Sequence, residues 1–242
     1  TLQGDGYDGD SGMTFTGLTG LSPVMTTFNS DQQLHGWNML GRWSHTFSED
    51  MDASVQVYYD RTDRSTPLID EMRHTYDIEF QHRMALPFNQ EVIWGGGYRY
   101  TADRTDGTFA AAMVPSRRHD DTFSFFVQDE IRFFEDKVRL TMGTKVENND
   151  YTGWEYQPSL RMAVMPHEDH TLWGAVSRAV RTPNRADDDV LLNLAYAPFT
   201  PFGQPNPLDP TVTCPALPFG GCPATLVQAA GTGFRSSLWG RV

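Results

Sequence analysis

Gly9-Asp10-Ser11-Gly12 copies the tetrapeptide around the nucleophile of a serine protease. Such a serine needs a histidine base, an orienting aspartate and an oxyanion hole, with His and Asp ahead of Ser in the chymotrypsin-like order. No fitting context surrounds it, and the Gly/Asp-rich stretch predicts a loop without catalysis. Asp5, Asp8 and Asp10 offer oxygens to a calcium ion, but their spacing misses the pattern of alternating ligands closed by a distal Glu, so a turn is expected. His167-Glu168-Asp169-His170 brings imidazoles and carboxylates together, yet a zinc protease carries HExxH on a helix, and here a tight turn follows Pro166. Asp187-Asp188-Asp189, with Arg181 and Arg185 nearby, reads either as a cation or ligand site or as a solvated rim of local ion pairs, and the second reading is preferred. Gly95-Gly96-Gly97 has no phosphate-binding lysine beside it and predicts a bend or a close approach within a strand. Cys214 and Cys222 share one Pro/Gly-rich segment. Their even count permits a local disulfide in an oxidising compartment, the other reading being two unpaired thiols in a loop. No catalytic residues, metal site or cofactor are expected, and the chain is not read as an enzyme.

What must position these residues is decided by composition and period. The 242 residues carry 31 acidic against 19 basic side chains, a formal charge of −12. Phosphate neutralisation needs clustered Lys and Arg, so nucleic acid is excluded as a partner. Hydrophobic residues at 39% and charged residues at 21% are close to ordinary folded values. No apolar stretch approaches the ~18 to 20 residues of a membrane helix; the longest runs from Phe109 to Val114. Membrane strands stay open, because a barrel hides its signal in alternation and tolerates a mean hydropathy as low as −0.47. No secretory signal follows Thr1, and the chain is expected to be cut from something longer.

Period-two alternation recurs from about residue 32 to about residue 182, whereas helical periodicity is hard to find. The fold class is all-β, with strands predicted near 1–8, 32–47, 52–64, 73–86, 91–104, 121–134, 138–151, 156–166 and 171–182. Tight connections at Ser48–Met51, Pro87–Gln90, Glu135–Lys137 and His167–His170 take turns with longer ones near 9–31, 65–72, 105–120 and 183–232. Runs of roughly 12 to 14 residues exceed the usual ~5 to 6 of soluble strands. Tilted by ~45°, they rise on the order of 30 Å, enough to cross an apolar band ~25 Å tall. The expectation is an antiparallel up-and-down transmembrane β-barrel, of which about nine strands are present as part of a larger one.

The two faces of these strands agree. One row reads Ala53, Val55, Val57, Tyr59; Tyr76, Ile78, Phe80, His82, Met84; Val92, Trp94, Gly96, Tyr98, Tyr100; Val138, Leu140, Met142, Thr144, Val146, without one Asp, Glu, Lys or Arg. The other carries Asp60, Asp77, Glu79, Arg83, Arg99, Arg139, Lys145 and Glu147. A lipid-facing wall requires this, since an Arg or Lys near the midplane of the outer face costs ~2 to 4 kcal/mol. Asp129 interrupts the row Phe123, Phe125, Val127, Ile131, Phe133 and calls for a bulge or an interfacial depth. Over 171–182 the parity is ambiguous. Aromatics gather as two girdles: Phe47, Phe88, Phe133, Phe134 and Trp173 by the tight turns, and Tyr58, Tyr59, Tyr98, Tyr100, Tyr151 and Trp154 toward the long loops. Ordinary sandwich-core aromatics are the other reading.

The stretch Phe123-Ser-Phe-Phe-Val-Gln-Asp-Glu-Ile131, followed by Val138-Arg-Leu-Thr-Met-Gly-Thr-Lys-Val-Glu-Asn-Asn-Asp-Tyr151, resembles the barrel of TonB-dependent outer-membrane receptors, in which an "FxQDE" strand precedes an "LxxGxRxE" strand. Gln157-Pro-Ser-Leu-Arg161 is similar to that family's "xPRxxxxW" strand, and Leu172-Trp-Gly-Ala-Val-Ser-Arg-Ala-Val-Arg-Thr-Pro-Asn184 to its "SxAxRxPS" strand. Thr1-Leu-Gln-Gly-Asp5, Trp43-Ser-His-Thr-Phe47 and Tyr58-Tyr-Asp-Arg61 are barrel-like in the same style. The resemblance covers roughly 1–195 and fades into Pro-rich sequence past Asn193. It implies a plugged barrel of about twenty-two strands, of which 1–242 would be a barrel fragment without plug or TonB box and 183–232 a long extracellular loop.

The resemblance implies a Gram-negative outer-membrane location, contact with outer-membrane lipid, active import of a ferric siderophore or similar scarce nutrient, and energy from TonB with ExbB and ExbD through the missing plug. Ligand contacts would fall on the long loops, where Tyr196, Phe199 and Phe202 supply aromatic faces and Arg104, Arg117 and Arg118 positive charge. Asp77, Glu79, Arg99, Arg139, Lys145 and Glu147 would face the lumen and the plug. The rivals are a small structural or adhesive outer-membrane barrel and a soluble β-sandwich binding module.

Overall fold

The computed structural model describes residues 1–17, 26–167, 169–197, 200–201, 205–206, 209–213, 221–222, 225–230 and 233–238. The chain opens with β1 (Leu2–Gly17), β2 (Thr26–Ser48), β3 (Met51–Ser65), β4 (Ile69–Leu86), β5 (Gln90–Gly107), β6 (Ala111–Met113), β7 (Arg117–Phe133), β8 (Val138–Asn149), β9 (Gly153–His167) and β10 (His170–Ser177). Nine of these form one sheet in the order β1-β2-β3-β4-β5-β7-β8-β9-β10. Each strand of that sheet runs antiparallel to its neighbour, β6 alone standing aside, and β1 and β10 are the sheet's two edges. This is an up-and-down meander left open between its edges, a partial barrel.

Direct cross-strand partners share a face, so the register tests the alternation. Val55, Phe80, Gly96, Phe125, Val146 and Tyr156 stand side by side on successive strands. One step along, on the opposite face, stand Gln56, Glu79, Gly97, Ser124, Glu147 and Glu155. The apolar face is the exposed one: Val57, Phe123 and Tyr156 are 52%, 51% and 54% accessible, whereas Asp77 and Glu147 keep 8% and 9%. Among the described residues the buried hydrophobics are only Ala53, Ala110 and Ala111, and the buried polar groups are Asp77, Asp103, Thr105, Glu147, Asn149 and Arg185. A sandwich buries its apolar rows between two sheets; here a single sheet turns them outward.

The outward belt toward the long loops holds Tyr59, Tyr76, Tyr98, Tyr100 and Trp154, but not Tyr58 or Tyr151. Tyr58 stands opposite Asp77 and donates to Asp60 at 3.2 Å, and Tyr151 donates to Asp120 at 2.9 Å, both on the charged side. Trp173, 73% accessible, pairs with Ala163, itself the partner of Arg139, and so also has charged-face parity. Asp129 has no bulge to excuse it. Its pairing with Val92 and Met142 is unbroken, and one carboxylate oxygen is buried without a hydrogen-bond partner among the described residues.

The glycine triplet serves the sheet itself. A Cβ at Gly95 would collide with the Phe80 carbonyl oxygen and sit 2.8 Å from the Phe126 ring. Gly95→Ala is therefore expected to cost about 1–3 kcal/mol by forcing β4 from β5, read as a lower denaturant midpoint of the barrel, whereas Gly97, whose Cβ would meet nothing closer than 3.4 Å, accepts alanine far more easily. The tight turns are those the spacing predicts, with Phe88 at φ 70° and Phe134 at φ 52°, both strongly exposed.

Several connections differ from expectation. The described parts of segment 9–31 are strand rather than loop: β1 runs on to Gly17 and β2 begins at Thr26, so Gly9-Asp10-Ser11-Gly12 and the aspartates at 5, 8 and 10 lie in a strand rather than a turn. In the far half of this hairpin Met13, Phe15, Phe28 and Ser30 are half-buried while Thr14, Thr16, Thr27 and Asn29 between them are exposed, but the stretch is built largely of Gly, Asp, Ser and Thr, whose small hydropathy contrast leaves the period-two signal weak in the sequence. Cross-strand hydroxyl bonds hold it, Thr14 to Asn29 at 2.8 Å and Thr16 to Thr27 at 2.7 Å. The loops at 65–72 and 105–120 are shortened by β4, β5 and β7, and β10 stops at Ser177. Segment 183–232 carries structure of its own: α1 (Arg185–Asp189), β11 (Val190–Ala197), β12 (Thr200–Pro201), β13 (Pro205–Asn206), β14 (Asp209–Thr213), β15 (Gly221–Cys222) and β16 (Thr225–Ala230), followed by β17 (Gly233–Leu238). A second sheet, ordered β17-β16-β11-β6, ties it to the former 105–120 loop.

Candidate functional site

The charged face collects the groups able to bind a polar ligand. Parity alone aligns Asp77, Glu79, Arg99, Arg139, Lys145 and Glu147 on it. Register then pairs them. Asp77 and Arg99 are direct partners joined at 2.8 Å, and Lys145 reaches Glu147 two residues on at 2.8 Å. Glu79 and Lys145 line a cavity of about 470 Å³ with Arg42, Gln56 and Ser124. Arg139 lies opposite Arg132, and like charges directly opposed are unfavourable. Glu130 at 3.0 Å and Glu91 at 3.5 Å on Arg132 offset that repulsion.

Toward the long loops the face is crossed by the segment 178–197. It is tied down by polar contacts: Arg178 to Glu155 at 3.3 Å, Thr182 to Glu147 at 3.1 Å, and the Val114 amide donating to the Asp189 carbonyl at 2.9 Å. The helix α1 opens on a capping box. Asn184 Oδ1 accepts from the Asp187 amide at 3.0 Å, and the Asp187 carboxylate accepts from the Asn184 amide at 3.0 Å and from Arg181 at 2.8 Å. Arg185, 5% accessible, is inserted between Asp103 and Asp189. Arg118 completes the cluster, reaching Asp120 at 2.7 Å and Asp188 and Asp189 at 3.0 Å, with the Tyr151 ring 4.3 Å beneath its guanidinium.

Burial pulls Arg185 below its ordinary range against the opposing pull of Asp189, and burial followed by the Asp120 hydrogen bond pushes the Tyr151 hydroxyl up. The Asn184 backbone amide, then Arg181, hold the Asp187 carboxyl below the usual carboxylate range. A depressed folded pKa gives stability that is full above the unfolded value of about 3.9 and is lost as pH falls through the folded one. Tyr151 has the opposite sign, its contribution being complete below about pH 10 and lost as pH rises further. The protection of amides across 184–190, taken relative to the intrinsic exchange rate at each pH, is therefore expected to stay constant from neutral pH down to about pH 4 and to fall only below it.

The structure separates the three loop arginines. Arg118 has charged-face parity, whereas Arg104 and Arg117 oppose one another one step along and so have the outward parity. Arg104 pairs with Asp106 at 3.3 Å. Tyr196 lies in β11 opposite Leu226, and Cys222 ends β15 opposite Thr200. Phe199, Phe202 and Cys214 lie outside the described residues. In the acidic run at 187–189 Asp187 pairs locally with Arg181 and Asp189 with Arg185, but Asp188 and Asp189 also reach Arg118, 70 and 71 residues away, and Arg185 and the Asp189 side chain are buried rather than solvated. Asp103 and Asp120 escaped the sequence reading. Counting forward in twos from Arg99 would have put Asp103 on the charged row, but Asp120 fell in a segment read as loop.

Two cavities flank α1. One, of about 430 Å³, is lined by Arg73, Arg99, Thr101, Thr122, Tyr151 and Arg185 among others; the second, of about 620 Å³, shares Arg73 and Arg185 and adds Asp60, Thr75 and Glu71. The groups lining them are able to donate and accept hydrogen bonds to a polar solute.

Residues 1–213 match the family model described as "TonB dependent receptor-like, beta-barrel". The fold is similar to the crystal structure of the siderophore receptor PirA from Pseudomonas aeruginosa, with a TM-score of 0.50 and 16% identity over 94% of this chain and 38% of that one. PirA from Acinetobacter baumannii aligns with a TM-score of 0.40 and 11% identity over 82% of this chain and 41% of that receptor. The chain thus spans well under half the length of either. No curated protein matches it.

Proposed function

The chain belongs to the TonB-dependent receptor-like β-barrel family, and from that premise we propose that it forms part of the wall of an outer-membrane receptor importing a scarce nutrient such as a ferric siderophore. The observation that carries this reading is the reversed polarity of the sheet, with aliphatic and aromatic rows outward and ion pairs inward. That polarity suits a wall between lipid and a wet lumen. In the intact protein the inward groups Asp77, Glu79, Arg99, Arg139, Lys145 and Glu147 contact a plug by hydrogen bonds. TonB, with ExbB and ExbD, pulls on that plug to open the passage. Segment 178–232 lies on the extracellular side, and Arg118 with Tyr196, Phe199 and Phe202 contributes to the mouth. Arg104 and Arg117, with outward parity, serve better at the lipid headgroups than as ligand contacts. The work is gated passage; no bond of the solute is made or broken. The test is uptake of radioactive iron as ferric siderophores by iron-starved cells with and without the full-length gene. Loss on deletion, restoration by the gene and abolition by a protonophore are expected; uptake indifferent to the gene across hydroxamate and catecholate complexes would refute the reading.

A further inference from the structure

The charges around α1 are already committed to one another. Arg99 holds Asp77, Arg118 holds Asp120 and the two α1 carboxylates, Arg185 holds Asp103 and Asp189, and Lys145 holds Glu147. In the wall of the smaller cavity three guanidinium groups, Arg73, Arg99 and Arg185, face three carboxylates, Asp103, Asp120 and Glu147. A multiply anionic solute gains no net attraction there, and drawing a guanidinium toward itself would strand a buried carboxylate. The uncommitted groups are of another kind. Thr101 and Thr122 line this cavity and Thr75 the larger one, and among the described residues none of their hydroxyls has a side-chain hydrogen-bond partner. Arg73, common to both walls, keeps its Nε buried with no partner. Thr75 and Thr101 are direct cross-strand partners, as are Arg99 and Thr122, so these donors converge from three adjacent strands.

We propose that this wall recognises an uncharged, oxygen-rich part of the solute, hydroxyl and carbonyl groups on a neutral complex, and disfavours polyanions. The inference rests on the receptor reading and adds the solute's charge class to it. Three half-buried neutral hydroxyls and one buried orphan N–H match oxygen acceptors and hydroxyl donors, and a solute lacking such groups would displace water from the hydroxyls without replacing its hydrogen bonds and leave the Arg73 Nε unpaired, which is how a hydrogen-bonding site discriminates. The experiment uses the full-length receptor in detergent with two iron(III) complexes, a neutral tris-hydroxamate and a trianionic tris-catecholate, titrated by tryptophan fluorescence. The neutral complex is expected to bind at least about tenfold more tightly. Thr101→Val with Thr122→Val is expected to weaken it about tenfold, with Thr→Ser at both positions restoring it and the heat-resistant gel mobility of the barrel unchanged. A tighter tris-catecholate, or a double valine variant that binds the neutral complex as well as wild type, overturns the inference and leaves the receptor reading standing. Binding of neither complex overturns it as well, and joined to gene-independent iron uptake in the cell assay it removes the receptor reading too.

Discussion

Arginine at Val57 or Phe125 is expected to destabilise the barrel in a lipid bilayer by about 2–4 kcal/mol, while arginine at Ser124, one residue from Phe125, changes stability by about 0.5 kcal/mol or less. Val57 and Phe125 stand near the middle of β3 and β7, in the outward row. Val57 has Gly41 and Ile78 beside it, and Phe125 has Gly96 and Val146, so neither new charge meets a carboxylate across the ladder. A guanidinium there must be drawn into hydrocarbon or bend toward the headgroups. Ser124 points the other way, into the 470 Å³ cavity with Glu79 and Lys145, and stands opposite Glu147. Reversible unfolding of the whole barrel from phospholipid vesicles by denaturant measures all three. Equal costs at 124 and 125, or a larger cost at 124, would reverse the assignment of the faces and remove the membrane reading.

The second large effect belongs to Arg185. Arg185→Met is expected to cost about 3–5 kcal/mol in the attachment of the segment 178–197, because Asp103 and Asp189 would remain buried without their shared cation. Their side chains are 3% and 8% accessible, so neither carboxylate can turn to water without movement. Arg118 keeps its hold on Asp189, and the uncompensated charge falls mainly on Asp103. The nine-stranded sheet does not depend on this contact, so the loss is local and shows as faster hydrogen exchange at 184–193 with the strand cores unchanged. Removing both charges separates pairing from burial. Arg185→Met combined with Asp103→Leu should recover most of the loss, as replacement of a buried pair by apolar side chains commonly does. Lysine at 185 should recover little, since an ammonium cannot present the planar fork that spans two carboxylates. If Arg185→Met leaves exchange across 184–193 unchanged, the cluster is not what holds the segment down.

Asp129 shows where pattern reading stops. Its place in the apolar row is plain from parity, and the simplest rescue, a bulge, is one the register rules out. Tyr58 and Tyr151 make the same point from the other side. Both look like girdle tyrosines by position along the chain, but Tyr58 has even parity in β3, the parity of Gln56 and Asp60. Tyr151 lies two residues past the end of β8 and folds back on Asp120.

The sequence by itself determined the class of fold, the strands β2 to β5 and β7 to β9, their tight turns and which side chains share a face. All of these follow from one local rule, that successive side chains on a strand point to opposite sides, so a wall with lipid on one side writes a period of two into the chain. Only the tertiary structure decided the far half of the β1–β2 hairpin, the second sheet joining β6 to β11, and the ion-paired cluster on α1. The described far half of that hairpin is built largely of Gly, Asp, Ser and Thr, whose hydropathies differ too little to write a legible period. The remaining features depend on pairings such as Arg118 with Asp189, 71 residues apart, and Asn193 with Ala110. Contacts at such separations are set by where the sheet brings two loops together in space, and no spacing along the chain encodes that.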